Sequence, residues 1–182
     1  MKKILILLLA SLAGSLGLGA APQQASDPQV EKVLVIFKTH LDIGFTDLSS
    51  KVEQRYIDYY IPKAIEGARR LREEGGDERY VWTTGAWLVD AYLRQATPEA
   101  AAELEEAIRR GDIVWNGVPY TVESESMNRA LFEGILRLSQ RLDARFGKHT
   151  SAAKMTDVPG HTRSIVPLLS EAGIGFLHVG TN

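Results

Sequence analysis

Two short segments of the sequence combine side chains that can bind a metal ion or act as catalytic groups. His40 and Asp42 are two residues apart and precede Gly44, and Asp157 and His161 flank a Pro-Gly turn. In extended backbone, a spacing of two places both side chains on the same side of the chain. An imidazole and a carboxylate are suitable ligands for Zn²⁺ or a similar divalent ion. The alternative is a hydrogen-bonded histidine beside a helix-capping aspartate.

Further polar candidates follow other predicted strands. Asp157 can supply a third metal ligand from a second strand end, or it can simply form an Asx turn. His161 is a ligand or, as we favour from its position alone, a loop residue bonded to nearby backbone. Glu123 and Glu125 can bind sugar hydroxyls or act as acid or base. Equally, their negative charge would be favourable just before the next helix.

Aromatic residues accompany these polar groups. Phe45, Trp82, Trp87, Trp115 and Tyr120 all fall near predicted strand ends. Aromatic rings beside carboxylates are typical of a sugar-binding cleft. Large aromatic side chains are also common in hydrophobic cores, so both interpretations stay open.

The elements that must position these residues alternate between strand and helix. Short apolar runs predict strands at 33–37, 79–82, 113–115, 152–155 and 176–179. Helical periodicity fills the intervals between them. This alternation predicts an α/β fold with a mostly parallel sheet. Because reactive groups gather at the carboxyl ends of parallel strands, we expect the candidate residues to share one edge.

Composition excludes several classes of protein. The 182 residues contain 21 Lys and Arg, 23 Asp and Glu, and no cysteine, for a net charge of −2. The lack of cysteine rules out a disulfide scaffold, a thiolate zinc site and a cysteine nucleophile. The mildly acidic balance gives no electrostatic footprint for nucleic acid. No glycine-rich phosphate-binding motif follows any predicted strand.

The N-terminal segment predicts export. Lys2 and Lys3 precede an apolar or small-residue stretch over 4–19, and small residues follow at Ala20 and Ala21. This pattern is typical of a secretory signal peptide. We therefore expect a signal peptide over 1–20, a linker over 21–31 and one domain over 32–182. The product would be secreted or periplasmic, with no membrane span after cleavage.

The two segments that carry the candidate metal ligands both resemble motifs of one enzyme family. The stretch from His40 to Phe45 (HLDIGF) resembles the H-x-D-x-G-W element of glycoside hydrolase family 38, the α-mannosidases. The stretch from Asp157 to His161 (DVPGH) resembles that family's D-P-F-G-H element. The resemblance extends from about Val33 to the end of the chain. It implies the N-terminal part of a seven-stranded (β/α) barrel with mostly parallel strands, incomplete at its C-terminus.

The resemblance also implies roles for individual residues. His40, Asp42 and Asp157 would bind Zn²⁺, and Asp157 would also be the catalytic nucleophile. The expected reaction is retaining hydrolysis of an α-mannoside or related glycan. The carbohydrate is the expected partner, and Phe45, Glu123 and His161 are its expected binding residues.

The sequence departs from the family pattern in several places. Phe45 stands where the family usually has tryptophan, and Val158 and Pro159 replace Pro-Phe. The family's fourth zinc ligand and its acid/base aspartate come from later in the chain. We therefore expect further domains downstream, and little or no activity from these 182 residues alone.

Two alternatives accompany this interpretation. A metal-dependent polysaccharide deacetylase would use a similar fold, but its usual H-x-x-x-H pair is missing, because the four histidines are residues 40, 149, 161 and 178. A non-catalytic carbohydrate-binding remnant would retain the motifs without turnover. Sugar binding that persists in the presence of a chelator would favour this second alternative.

Overall fold

The structure is a computed structural model that describes residue 31 and residues 39–180. The predicted signal peptide, almost all of the predicted linker and the predicted strand over 33–37 lie outside the described residues. Between Thr39 and Gly180 the helices and strands alternate much as the periodicity predicts.

Helices connect four short strands in the described part of the chain. The α-helices are α1 (Ser49–Arg55), α2 (Ile61–Glu73), α3 (Ala86–Gln95), α4 (Pro98–Arg110), α5 (Arg129–Phe146) and α6 (Ile165–Glu171). The strands are β1 (Trp82–Gly85), β2 (Ile113–Asn116), β3 (Ala152–Thr156) and β4 (Phe176–Gly180). A π-helical segment (Tyr56–Tyr60) joins α1 to α2, and a 3₁₀ turn (Ser124–Ser126) precedes α5.

The strands pair in parallel, which confirms the α/β class. β1 pairs with β2 and β3 pairs with β4, so the described strands form two sheets of two strands. The backbone N–H of Gly117 donates to the carbonyl of Ala152 over 2.9 Å, which links the end of β2 to the start of β3. The described strands therefore follow one another in a parallel series without closing a barrel.

The first described strand differs from its predicted position. The sequence predicts a strand over 79–82, whereas β1 begins at Trp82 and ends at Gly85. Trp82 and Thr84 are buried, while Tyr80 and Val81 are exposed. At Gly85, a Cβ atom would lie 2.2 Å from the carbonyl oxygen of Pro119. Burial and this close approach shift the strand toward Gly85.

The helical region around Pro62 contains two α-helices. The sequence predicts a kink or two helices there, and the structure has α1 and α2 joined by the π-helical segment. The π-helical segment ends immediately before α2, and the N–H of Ile61 donates to the carbonyl of Tyr56. A proline ring normally clashes with the carbonyl four residues earlier, here that of Asp58. The wider π turn provides room for it without ending the helix.

Two hydrophobic clusters support the sheets. The first packs α2, α3 and α4 against β1 and β2, with Leu88, Leu104 and Ile108 almost fully buried. The second packs α5 and α6 against β3, with Phe132 and Met155 at its centre. No helix among residues 39–180 is long and apolar enough to cross a membrane.

Candidate functional site

The segment that carries His40 is tied to the sheets through Thr39. The N–H of Thr39 donates to the carbonyl of Thr83 over 3.2 Å, as in the parallel pairing of strands. Lys154 Nζ donates to the Thr39 carbonyl over 3.1 Å, and the Trp82 indole donates to the Thr39 hydroxyl. These contacts reach both pairs of strands, so they fix the position of the segment that carries His40.

Asp157 follows β3 directly and has an unusual backbone conformation. Its φ angle is +68°, and it is the one non-glycine residue with positive φ in the described part of the chain. Its N–H donates to the carbonyl of Gly180 over 3.0 Å, so the pairing of β3 with β4 continues into it. An aspartate tolerates the left-handed region better than most residues, but the conformation is still unfavourable. Such backbone strain is concentrated at functional sites.

The structure brings His40 and Asp157 together. His40 Nε2 lies 3.2 Å from Asp157 Oδ2, and the two side chains are 40% and 43% exposed. This contact joins residues far apart in sequence, of which Asp157 directly follows β3. Two ligands bound to a tetrahedral Zn²⁺ at the usual bond lengths have donor atoms about 3.3 Å apart. The pair therefore fits two adjacent positions around such an ion.

Asp42 does not join this contact. Among the described residues, no three His, Cys, Asp or Glu side chains form a group that could hold a metal ion. Asp42 lies close enough to Tyr56 for its charge to act on the phenol. Burial, the neighbouring Tyr60 and the Asp42 carboxylate, in that order, raise the pKa of Tyr56. The Tyr56 hydroxyl also contacts the His40 carbonyl over 3.4 Å, which places Tyr56 beside the same segment.

The predicted substrate-binding residues occupy different environments. Phe45 is 85% exposed, on the loop that follows His40. Glu123 is exposed and precedes the 3₁₀ turn, where its carbonyl accepts from the Ser126 N–H over 3.1 Å. His161 is half-buried. Phe45 and Glu123 are thus accessible to a ligand.

His161 belongs to a small polar cluster with Ser124. The Ser124 hydroxyl lies 3.2 Å from His161 Nδ1 and accepts from the Thr162 N–H over 3.0 Å. Ser124 is only 1% exposed. His161 Nε2 is buried and has no hydrogen-bond partner in the described structure. This cluster joins the loop after β2 to the loop after β3.

The aromatic residues divide between core and surface. Trp82 and Trp115 are buried, and the Trp115 indole donates to Asp143 Oδ1 over 2.9 Å. Trp87 packs against the first hydrophobic cluster. Phe45 and Tyr120 are exposed. The core interpretation therefore holds for the three tryptophans, and the two exposed rings stay available for a ligand.

A cavity of about 540 Å³ lies along the strands rather than at their carboxyl ends. Its lining includes Val114, Asn116, Lys154 and His178 from β2, β3 and β4. The predicted site residues are not in its lining. The His40–Asp157 contact is therefore outside this cavity.

Three residues near the site carry no motif of their own. Ser124 and Lys154 contact residues that are distant in sequence. A single serine in a turn, or a single lysine in a strand, therefore gives no recognisable pattern. Tyr56 belongs to a helical stretch and was not among the candidates. No motif or spacing in the sequence distinguishes Tyr56 from its helical neighbours.

The fold and the contact define an α/β domain with a histidine–carboxylate pair beside the carboxyl end of β3. The model of the N-terminal domain of glycosyl hydrolases family 38 matches residues 31–180. The chain belongs to this family, and it is therefore a glycosidase family member whose substrate class is carbohydrate. No curated protein sequence matches the chain significantly.

The two residues that depart from the family motif after Asp157 differ in burial. Val158 is 6% exposed and belongs to the hydrophobic interior, while Pro159 is exposed. The buried Val158 side chain thus helps to hold the loop that carries Asp157 against the hydrophobic interior.

Proposed function

We propose that this chain is an exported, zinc-dependent, retaining glycosidase domain that acts on α-mannosides or related glycans. The observation that carries the proposal is the contact of 3.2 Å between His40 Nε2 and Asp157 Oδ2. This contact unites the two motifs that resemble the family's metal-binding elements. The family match over residues 31–180 supports the same assignment.

His40, Asp42 and Asp157 would hold the zinc ion. His40 and Asp157 already have a suitable separation, and Asp42 is two residues from His40 in a segment without regular structure. When bound, Zn²⁺ supplies Lewis-acid stabilisation of sugar oxygens as charge develops on the ring. Zinc binding at this site would require the Asp42 carboxylate to join the pair.

Asp157 is the proposed nucleophile. Its carboxylate would attack the anomeric carbon as the glycosidic C–O bond breaks and the leaving oxygen takes a proton from a second carboxylic acid. Water would then hydrolyse the covalent glycosyl-enzyme with retention of configuration. The contact with His40 and the left-handed backbone orient this carboxylate at the strand end. Its side chain is 43% exposed, so a substrate can reach it.

Phe45, Glu123 and His161 are the proposed substrate contacts. The exposed Phe45 ring offers an apolar surface for one face of a sugar ring. The exposed Glu123 carboxylate can accept hydrogen bonds from sugar hydroxyls. His161 Nε2 is buried and has no partner in the described structure, so a hydrogen bond from it to a sugar oxygen would require the surrounding loop to open.

Export and low activity are part of the proposal. The signal-peptide pattern over 1–20 supports a secreted or periplasmic location. We expect little or no turnover from the 182-residue chain, because retaining hydrolysis also needs a second carboxyl group as acid/base, and none among the described residues is assigned that role. Appreciable hydrolysis of an aryl α-mannoside by the purified chain would overturn this part.

A binding experiment tests the sugar assignment. Methyl α-mannoside would be titrated into the chain with zinc or with a chelator, and methyl α-glucoside would serve as the matched ligand. We expect binding of the mannoside that requires zinc and is lost in Asp157→Ala. Binding that ignores the chelator would contradict the metal-dependent site and favour a non-catalytic carbohydrate-binding role.

A further inference from the structure

The loop that carries Asp157 is held at both ends. At its start, the Asp157 N–H donates to the carbonyl of Gly180 over 3.0 Å. Five residues later, the Thr162 N–H donates to the Ser124 hydroxyl over 3.0 Å. Val158 is buried between these two anchors. The position of Asp157 therefore depends on a buried side chain from another loop.

The hydrogen bonds that Ser124 can form indicate which ring nitrogen of His161 carries the proton. A serine hydroxyl has one proton and two acceptor lone pairs. The Thr162 N–H uses one lone pair, and His161 Nδ1 is the other group in contact with the hydroxyl. If Nδ1 carried the proton, the Ser124 proton and the buried Nε2 lone pair would both lack partners among the described residues. If Ser124 instead donates to Nδ1, the proton on Nε2 is the one group of this cluster that lacks a hydrogen-bond partner among the described residues.

We propose that Ser124 is a positioning residue for Asp157, and that its hydroxyl donates to Nδ1 of a neutral His161 protonated on Nε2. The serine is 1% exposed, so water does not compete for these bonds. It acts on Asp157 through the loop and touches no reacting atom. The inference rests on the proposed function only for the role of Asp157.

Histidine NMR tests the proposal on the full chain. The chain would be labelled with ¹⁵N in its four histidines, and His161 would be assigned by loss of its signal in His161→Gln. In its neutral form, wild-type His161 should carry the proton on Nε2. A wild-type His161 with the proton on Nδ1 would overturn the assignment, even if every Ser124 variant failed to fold.

Ser124→Ala tests the positioning role, and Ser126→Ala, an exposed serine of the same turn, is its control. In Ser124→Ala we expect the single His161 tautomer to be lost and the His40 signal to shift, because Asp157 moves. Exchange of the Thr162 amide hydrogen should be about fivefold to tenfold faster, since one hydrogen bond is lost. Ser126→Ala should match the wild type. Unchanged His161 and His40 signals in a folded Ser124→Ala would contradict the proposal.

Zinc titration separates this inference from the proposed function. If the wild-type chain binds no zinc but shows the expected tautomer and the expected response to Ser124→Ala, the proposed function fails and the positioning role stands. If the chain binds zinc and Ser124→Ala leaves the His161 and His40 signals unchanged, the proposed function stands and the positioning role fails.

Discussion

The backbone of Asp157 limits which residues can occupy this position without loss of stability. Its φ of +68° suits glycine and is tolerated by aspartate, whose short polar side chain can hydrogen-bond locally. Alanine has no such side chain. The contact with His40 is removed equally by glycine and by alanine. The two substitutions therefore differ mainly in backbone strain.

We expect Asp157→Ala to be less stable than Asp157→Gly by about 1 kcal/mol, because alanine pays the left-handed penalty. Urea denaturation of both variants measures the difference. Equal free energies of unfolding, or a more stable alanine variant, would show that the left-handed conformation is not maintained at this position.

Tyr56, which contacts the segment that carries His40, contributes to the stability of the chain at alkaline pH. Burial, Tyr60 and Asp42 raise the pKa of Tyr56 above its ordinary value of 10.0. Above pH 10 the unfolded chain therefore loses this proton before the folded chain does, and the free energy of unfolding decreases as pH rises. The stabilisation is fully present below pH 10.

Tyr56→Phe should make the alkaline loss of stability shallower, because the phenylalanine ring has no proton to lose. Comparing urea denaturation at about pH 8 and about pH 11 measures the change. Tyr59→Phe, at an exposed position of the same π-helical segment, should retain the wild-type pH dependence. If Tyr56→Phe lost as much stability as the wild type between these two pH values, the raised pKa of this half-buried phenol would be contradicted.

At the scale of elements, Asp112 holds α2, α4 and β2 together. The Asp112 carboxylate is 8% exposed and accepts from Arg72 at the end of α2 and from Arg110 at the end of α4, the latter over 3.0 Å. Its backbone carbonyl accepts from the N–H of Trp82 over 2.8 Å. One residue therefore connects the two helices to β1 and β2.

Asp112→Ala should lower the free energy of unfolding by about 2 kcal/mol, because two charged donors lose a nearly buried acceptor. Asp90→Ala is the control, since it removes an exposed pair with Arg94 one helical turn away. That change should have an effect below about 0.5 kcal/mol. Similar losses in the two variants, measured by thermal or urea denaturation, would contradict the role of Asp112.

Local signals explain which elements the sequence could predict. The Thr97 hydroxyl caps α4 by accepting from the Ala100 N–H over 3.3 Å, and Gly111 ends α4 with a φ of +87°. Both features depend only on neighbouring residues. The bounds of β1 depend instead on burial and on the approach of Pro119 to Gly85, which are distant in sequence.

At the scale of the whole molecule, the parallel strand order is what brings the two motifs together. Neither motif contains information about the other, but a strand is predicted before each of them, and the carboxyl ends of parallel strands share one edge. The contact between His40 and Asp157 could be predicted for that reason, and the structure places them 3.2 Å apart. The Ser124–His161 bond could not, because a buried serine has no distinctive spacing. The separation into two pairs of strands was equally outside the reach of periodicity.

The zinc content of the purified chain after dialysis is the most direct test of the account. We predict about one zinc ion per chain. Asp157→Ala should remove it, while Asp77→Ala, an exposed aspartate away from the site, should not. A folded wild-type chain without zinc, or an Asp157→Ala variant that retains it, would contradict the proposed metal site.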